Sequence, residues 1–280
     1  MKNPDLVITH GGCWDGLVAA WAIARNTGCE NIHYANHGQD PPSVVGPRSG
    51  LRVLCVDFAY PRAVTERMAA EAEELLILDH HATTAADLDG LPYASFDVTK
   101  SGARLAWEHV SHREAPWIVA YCEDADLWRY DLPGSRAVRA FYKSFPMTLE
   151  AVDEIHARQT PESAAKMGEP ILRADAQHVS MMCDASFATT IGGKRAVCAW
   201  APVLFSDVRE ELLCRHTWAE LGVSIRRRPD GRIEFGLGSR DGNPHCGEIA
   251  KAYGGGGHPG AAGFVAKAEH LPLLGVTEWA

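Results

Sequence analysis

The sequence has no run of about 18 apolar residues, the length that a helix needs to cross a bilayer. The opening stretch, MKNPDLVITHGG, also lacks the apolar core of a secretory signal peptide. We therefore expect a cytoplasmic protein without a membrane partner.

Cysteines are present, but no two of them form a C-x-x-C pair. The eight cysteines also lack the spacing of a disulfide framework. This pattern excludes a small disulfide-stabilised secreted domain, and we expect most of the thiols to be reduced and buried.

Positive charge is scarce. The chain has 27 Lys and Arg against 36 Asp and Glu, which gives a formal net charge of −9. Proteins that coat duplex nucleic acid usually carry a basic face, so an extended duplex is not the expected partner. Small anionic substrates remain compatible with this charge, because a metal pair or a local basic patch can hold them.

The first half of the chain alternates apolar runs with helical patterns. DLVIT (5–9), RVLCVDF (52–58) and ELLILDHH (74–81) predict buried strands. LVAAWAIARNTG (17–28) and AVTERMAAEAEE (63–74) predict the helices between them. Strands that alternate with helices form βαβ units, so the sequence predicts an α/β fold with a mainly parallel sheet.

The second half of the chain has a different pattern of apolar and polar residues. Residues 147–185 have an almost wholly helical pattern, and from Lys194 onward strand patterns dominate, with one helix between the first two of them. We predict a first domain at 1–150, a helical connector at 151–190 and a smaller α+β domain at 191–280.

Groups that bind protons and metals follow several predicted strands. They are His10 and Asp15 after the first strand, Asp57 at the end of the second, Asp79, His80 and His81 at the end of the third, and Asp124 and Asp126 after the later segment IVAYCE. A single Asp in such a place is more often a turn residue or a helix cap. Strand ends of a parallel sheet lie along one edge, so the recurrence favours a shared site.

Mixed carboxylate and imidazole ligands suit Mn²⁺, Fe²⁺ or Zn²⁺, whereas Mg²⁺ prefers more oxygen. A pair of such ions about 4 Å apart can bridge a water and stabilise the oxygens of a phosphoryl displacement. Asp57 is the natural bridging carboxylate.

Four motifs in a fixed order carry a family resemblance: THGGCWDGLVAAWA, VDF, DHH and GGGGHPGAAGF. Together they resemble the DHH/DHHA1 phosphoesterase superfamily, which includes RecJ-type exonucleases, nanoRNases and cyclic-dinucleotide phosphodiesterases. The resemblance covers nearly the whole chain. It implies a DHH-type metal-binding domain followed by a DHHA1-type substrate-binding domain.

The resemblance also implies roles for single residues. The implied metal ligands are His10, Cys13, Asp15, Asp57, His80 and Asp124. Asp57 would bridge two ions, His81 would face the scissile phosphate, and Asp79 would orient the histidines. In EDADLWRY, Asp124 fits the last acidic ligand of the family pattern better than Asp126.

Cys13 departs from that pattern, because many family members have Asp at this position. A thiolate would favour softer ions such as Zn²⁺ or Fe²⁺, and a neutral thiol would weaken the first metal site. The alternative is a small packing residue, with water completing the coordination.

The glycine run YGGGGHPGAAG (253–263) could offer backbone N–H groups to an anion, or it could be a flexible loop. Arg240 follows the end of a predicted strand, within a locally basic segment. In the family these positions hold the substrate. The implied substrate-binding residues are Ser239, Arg240, Gly255, Gly256, Gly257 and His258.

We expect a phosphoesterase with two divalent ions, Mn²⁺ first and Zn²⁺, Fe²⁺ or Mg²⁺ as alternatives. The expected substrate is a short oligonucleotide, a dinucleotide or a nucleotide, because a long single strand needs an extended basic groove. The alternative is a nucleotide-binding regulatory module that lost turnover at Cys13. An inorganic pyrophosphatase of the same superfamily is disfavoured by the glycine-rich segment.

Overall fold

The structure is a computed structural model, and it describes residues 3–36, 38–44, 50–228 and 230–266. The chain divides into two compact units, Met1–Leu172 and Arg173–Ala280. The division lies inside a long helix, Pro161–Asp184, which falls within the segment predicted as a connector.

A parallel sheet forms the centre of the first unit. Its strands are β1 (Leu6–His10), β2 (Ile32–Ala35), β3 (Arg52–Val56), β4 (Glu74–Asp79) and β5 (Ala94–Phe96). They stand in the order β2-β1-β3-β4-β5, and each neighbouring pair is parallel. The predicted parallel α/β arrangement is confirmed.

The helices of the first unit connect and cover these strands. They are α1 (Trp14–Thr27), α2 (Arg62–Glu71), α3 (Ala82–Asp87), α4 (Gly102–Val110), α5 (Trp117–Asp126), α6 (Ser135–Lys143) and α7 (Leu149–Arg158), with α8 (Pro161–Asp184) crossing into the second unit. Gly28 ends α1 in the left-handed conformation, with φ of 76°. Ser101 begins α4 as an N-cap whose side chain accepts the N–H of Arg104.

The sheet is buried on both faces, which explains why its strands are continuously apolar. Leu54 and Val56 pack with α1 and α4 on one face. Val53 and Cys55, which alternate with them, pack with residues such as Met68 on the other face.

The segment IVAYCE, together with Asp124 and Asp126, lies in helix α5 and does not form a strand. An apolar run of this length does not separate a buried helix from a buried strand, and α5 is buried on several sides.

The second unit is built on a mixed sheet. Its strands are β6 (Phe187–Ile191), β7 (Lys194–Trp200), β8 (Leu221–Arg227), β9 (Ile233–Gly238), β10 (Gly256–Gly257) and β11 (Ala261–Ala266), in the order β10-β11-β9-β8-β7-β6. The pair β7 and β8 is parallel and the other pairs are antiparallel. Helices α9 (Phe205–Arg215) and α10 (Cys246–Ala252) complete the α+β unit that the sequence predicts.

All eight cysteines lie in described segments and are free thiols, and six of them are buried. This agrees with the expectation of reduced, buried cysteines. Among the described residues, no helix is long and apolar enough to span a membrane.

Candidate metal centre

The carboxyl ends of three neighbouring strands bring the predicted site residues together. His10 is the last residue of β1, Asp57 directly follows β3, and Asp79 ends β4. Because the three strands are parallel and adjacent, these ends lie at one edge of the sheet. The remaining acids come from helices, with Asp15 in the first turn of α1 and Asp126 at the end of α5.

A first group of ligand atoms belongs to His10, Cys13 and Asp57, all within 4.8 Å of one another. The closest approach of charged groups is 4.0 Å, from Nδ1 of His10 to Oδ2 of Asp57. The group offers one imidazole, one thiol and one carboxylate, which can together hold a divalent ion.

A second group belongs to Asp15, His80 and Asp126, again within 4.8 Å of one another. Nε2 of His80 lies 3.9 Å from Oδ2 of Asp15 and 3.6 Å from Oδ2 of Asp126. Asp15 is fixed by the start of α4, because its carboxylate accepts the N–H groups of Gly102 at 2.6 Å and Ala103 at 3.1 Å. The amino end of a helix favours a carboxylate in this position.

Asp57 lies between the two groups. Its Oδ1 is 3.2 Å from Nε2 of His80, and its Oδ2 faces His10. The side chain is only 1% exposed, yet no donor among the described residues makes a hydrogen bond to Oδ2. A buried carboxylate oxygen in this state is costly unless a cation or a hydrogen bond compensates it.

The backbone of Asp57 is itself strained. Its φ is 57°, a left-handed value that costs a residue other than glycine about 1–3 kcal/mol. Backbone strain of this kind persists where the surrounding structure holds the residue in place, and it is common at functional sites. Here the strained residue is the one whose carboxylate lies between the two groups.

Two glycines allow the close packing around this carboxylate. A Cβ added at Gly102 would overlap the Cβ of Asp57 and lie 2.9 Å from Oδ2 of Asp15. A Cβ added at Gly16 would lie 2.6 Å from the carbonyl oxygen of His10 and 3.1 Å from Oδ2 of Asp57. A side chain at Gly102 would displace the carboxylates of Asp57 and Asp15, and one at Gly16 would displace the backbone of His10.

The carboxylates of the centre repel one another when they are charged, and this raises their pKa values. Burial and the charge of Asp15 raise the pKa of Asp57 well above its ordinary range. The same two causes raise the pKa of Asp126 to about 7, and burial followed by the nearby carboxylates raises the pKa of the Cys13 thiol. A divalent cation would reverse these shifts, so the donor set and the electrostatics both fit a metal ion.

Asp79 holds His81. Oδ1 of Asp79 accepts from Nδ1 of His81 at 2.7 Å and from the N–H of His80 at 2.7 Å. Burial lowers the pKa of His81, but the charge of Asp79 and the hydrogen bond with it outweigh burial and raise that pKa to about 9. These contacts fix the ring of His81 and favour its protonated form near neutral pH in the metal-free chain.

The structure brings Asp126 to the centre and leaves Asp124 outside it, so the preference for Asp124 needs correction. Oδ1 of Asp124 accepts the N–H of Asp131 at 3.0 Å, and Oδ2 accepts the N–H of Leu132 at 3.2 Å. Its carboxylate is therefore part of the turn that follows α5. Asp126 contacts His80 instead.

In the second unit, Arg240 does not present a free guanidinium. It donates to the carbonyl oxygens of Ala219 at 2.7 Å, of His216 at 3.2 Å and of Leu213, at and after the end of α9. Ser239 is likewise used locally, with its hydroxyl 3.4 Å from the carbonyl oxygen of Pro259. The expectation that Arg240 binds the substrate does not agree with these contacts.

The glycine run forms a tight hairpin between α10 and β11. The N–H groups of Gly254, Gly255 and His258 donate to carbonyl oxygens of the same unit. Gly256 and Gly257 pair with β11, and a Cβ at Gly255 would overlap Phe264 and Gly263. Most of the backbone donors that the nest prediction requires are therefore used inside the fold, and a substrate contact from this segment would have to come from His258.

Sequence reasoning missed the contribution of Ser101 and Gly102, which begin α4 against Asp15. The signal was present as an N-cap serine followed by glycine, but nothing local connects it with a residue 87 positions earlier. Trp14, which directly precedes Asp15, is buried in the core with its ring 5.0 Å from that of Tyr142.

Comparisons with known proteins support the fold. No family model matches the chain. The sequence is 22% identical over 281 residues to "Uncharacterized protein R106" of Acanthamoeba polyphaga mimivirus, and the match covers 93% of this chain and 67% of that protein.

RecJ from Thermus thermophilus, solved in complex with Mn²⁺, matches with a TM-score of 0.51 and 13% identity over 95% of this chain and 50% of that chain. A pGpG-specific phosphodiesterase from Vibrio cholerae gives a TM-score of 0.49 and 15% identity over 95% of each chain. The likeness to RecJ shows that the two chains share a fold.

Proposed function

We propose that this chain, which has the fold of DHH/DHHA1-type phosphoesterases, is a metal-dependent phosphohydrolase. Its substrates would be the phosphodiester or phosphomonoester bonds of short oligonucleotides, dinucleotides or nucleotides. The observation that carries the proposal is the pair of ligand groups joined by the buried carboxylate of Asp57. RecJ, with which the chain shares its fold, was solved with Mn²⁺, which favours Mn²⁺ as an activating ion.

Two divalent ions would be held by the two groups. The proposed ligands are His10, Cys13 and Asp57 for one ion and Asp15, His80 and Asp126, with Asp57, for the other. When bound, such a pair supplies an activated water and stabilises the oxygens of the phosphoryl group during displacement.

The protein residues would position and neutralise the reacting group. Asp79 fixes the ring of His81 through Nδ1, and we infer that Nε2 donates to a phosphoryl oxygen. Asp79 raises the pKa of His81 to about 9 in the metal-free chain, and a protonated ring would supply positive charge where the phosphoryl group becomes more negative. Asp57 would hold the two ion positions at a fixed separation.

A small anionic substrate agrees with the net charge of −9, because a long single strand needs an extended basic groove. In the second unit, His258 stays the proposed substrate contact. Arg240 is not included, since its guanidinium is hydrogen-bonded to the end of α9.

Hydrolysis of a 5′-labelled dinucleotide tests the proposal. Bound metal is removed with a chelator, and Mn²⁺ is added alone or together with Zn²⁺. Mononucleotide release is then compared for wild type, Asp57→Asn and Glu154→Gln. Glu154→Gln is the surface control, because Glu154 belongs to an exposed ion pair on α7. We expect release by wild type and by Glu154→Gln, and a loss of at least about a hundredfold in Asp57→Asn.

The same assay separates the proposal from a nucleotide-binding module without turnover. Such a module would bind the dinucleotide but release no mononucleotide with Mn²⁺, Zn²⁺ or Fe²⁺. Turnover that is unchanged in Asp57→Asn would also contradict the proposal, because the bridging carboxylate would then have no role in it.

A further inference from the structure

Cys13 offers a sulfur atom to the centre, whereas every other proposed ligand offers a nitrogen or an oxygen. Cys13 is the N-cap residue of α1, yet within the described residues its side chain makes no capping hydrogen bond. Ser, Thr, Asp and Asn are the residues that serve an N-cap well. The thiol lies instead within 4.8 Å of ligand atoms of His10 and Asp57.

The two ligand groups are therefore chemically unequal. The first combines a sulfur with an imidazole and one carboxylate oxygen, and the second combines an imidazole with the carboxylates of Asp15 and Asp126. Asp57 contributes to both, because Oδ2 faces His10 and Oδ1 faces His80. Oδ2, the oxygen on the side of the thiol, is buried and has no hydrogen-bond donor among the described residues, so it points to a ligand at that position.

We propose that the centre binds two different ions: a thiolate-binding ion such as Zn²⁺ or Fe²⁺ at His10, Cys13 and Asp57, and a hard ion such as Mn²⁺ or Mg²⁺ at Asp15, His80 and Asp126. The inference rests on the proposed two-ion function. Soft sulfur ligands select Zn²⁺ and Fe²⁺, whereas carboxylate oxygens suit Mn²⁺ and Mg²⁺.

Cobalt spectroscopy tests the inference without an activity assay. Co²⁺ bound to a thiolate gives a sulfur-to-cobalt charge-transfer band in the near ultraviolet, and Co²⁺ bound only to oxygen and nitrogen does not. Metal is removed with a chelator, and the protein is titrated with Co²⁺ as wild type, Cys13→Ser and Cys122→Ser. Cys122 is the matched control, because its thiol lies 3.8 Å from Oδ1 of Asp15 but belongs to neither ligand group.

We expect the charge-transfer band in wild type and in Cys122→Ser and its loss in Cys13→Ser. A large molar excess of Mn²⁺ should then displace cobalt from the second group before the first, because Mn²⁺ competes least well where a thiolate is a ligand. After buffer exchange, elemental analysis should find more cobalt per chain in wild type than in Cys13→Ser.

Two results would overturn the inference. One is cobalt binding by wild type without a charge-transfer band, which would leave Cys13 as a packing residue. The other is a band that survives in Cys13→Ser, which would assign the thiolate to a different cysteine.

A second measurement needs no variant and covers the case in which a substituted protein does not fold. Iodoacetamide alkylation of wild type is followed by peptide mapping at Cys13 and at the exposed Cys214. Zn²⁺ should protect Cys13 from alkylation, Mn²⁺ should not, and Cys214 should react equally in both. Equal alkylation of Cys13 with Zn²⁺ and with Mn²⁺ would contradict the inference.

The outcome is distinguishable from failure of the proposed function. Dinucleotide hydrolysis without a charge-transfer band would refute the assignment of a thiolate-binding ion to Cys13 and leave the phosphohydrolase intact. A charge-transfer band without hydrolysis of any tested substrate would support the thiolate site and refute the phosphohydrolase.

Discussion

Replacing Asp126 by asparagine is expected to stabilise the metal-free protein at pH 8 by about 1–2 kcal/mol. Burial and the charge of Asp15 raise the pKa of Asp126 from an ordinary 3.8 to about 7. Since one pKa unit corresponds to about 1.4 kcal/mol, the charged carboxylate would cost up to about 4 kcal/mol. A quarter of the Asp126 side chain is exposed, and solvent screening reduces the cost of its charge to about 1–2 kcal/mol.

The pH dependence of this cost has a definite sign. The pKa of Asp126 is higher in the folded chain than in the unfolded chain, so the unfolded chain releases its proton first as pH rises. The cost is absent below about pH 4 and complete above about pH 7, and the free energy of unfolding falls across that window. His81 adds a further loss between its ordinary pKa of 6.5 and its raised pKa of about 9, so only the difference between wild type and variant isolates Asp126.

The assay is urea unfolding at pH 5 and pH 8, with chelator and with Mn²⁺. Asp124→Asn is the control, because it loses one carboxylate oxygen that accepts a backbone N–H and should be less stable by about 1 kcal/mol at both pH values. Mn²⁺ should stabilise wild type and Asp124→Asn more than Asp126→Asn. An Asp126→Asn protein that is less stable than wild type at pH 8 without metal would refute the reasoning.

Three further changes test other contacts. Asp79→Asn should lower the pKa of His81 from about 9 toward or below 6.5, as measured by NMR titration of the ring, and an unchanged pKa would count against the pair. Gly102→Ala should cost about 1–3 kcal/mol of stability by overpacking against Asp57 and should weaken Mn²⁺ binding in calorimetry, and a variant that binds normally would contradict the close packing. Arg240→Ala should destabilise the second unit by about 1–3 kcal/mol in thermal unfolding, because buried carbonyl oxygens lose their donor, and unchanged stability would return Arg240 to the list of substrate ligands.

The residues at strand ends were predictable because their signal is local. An apolar run followed by Asp57, or by Asp79 and the two histidines, predicts both the strand and the edge at which it ends. The parallel order of the strands then brings these groups together. The same reasoning placed His10 correctly at the end of β1.

The choice between Asp124 and Asp126 was not predictable in this way. Two residues that are two positions apart on a helix point in directions about 200° apart, so only one of them can face the centre. Which one does so depends on how α5 packs against the sheet, and the local sequence carries no information on that. The spacing of a family motif suggested Asp124, and the structure brings Asp126 to His80.

Arg240 shows a second limit. Its place after a strand end suggested a ligand, but its guanidinium reaches carbonyl oxygens 21 to 27 positions earlier in the chain. Such a contact depends on the packing of α9 against β8 and β9. A pattern along the chain does not contain it.

The most direct test of the two-ion centre is the number of divalent ions that the chain binds. Chelated wild type and Asp57→Asn are equilibrated with Mn²⁺ and Zn²⁺ together, exchanged into metal-free buffer, and analysed for total bound ions per chain. If Asp57 joins two ion sites, wild type should hold about two ions and Asp57→Asn about one or none. One ion or none in wild type, or two ions retained in Asp57→Asn, would contradict this account of the site.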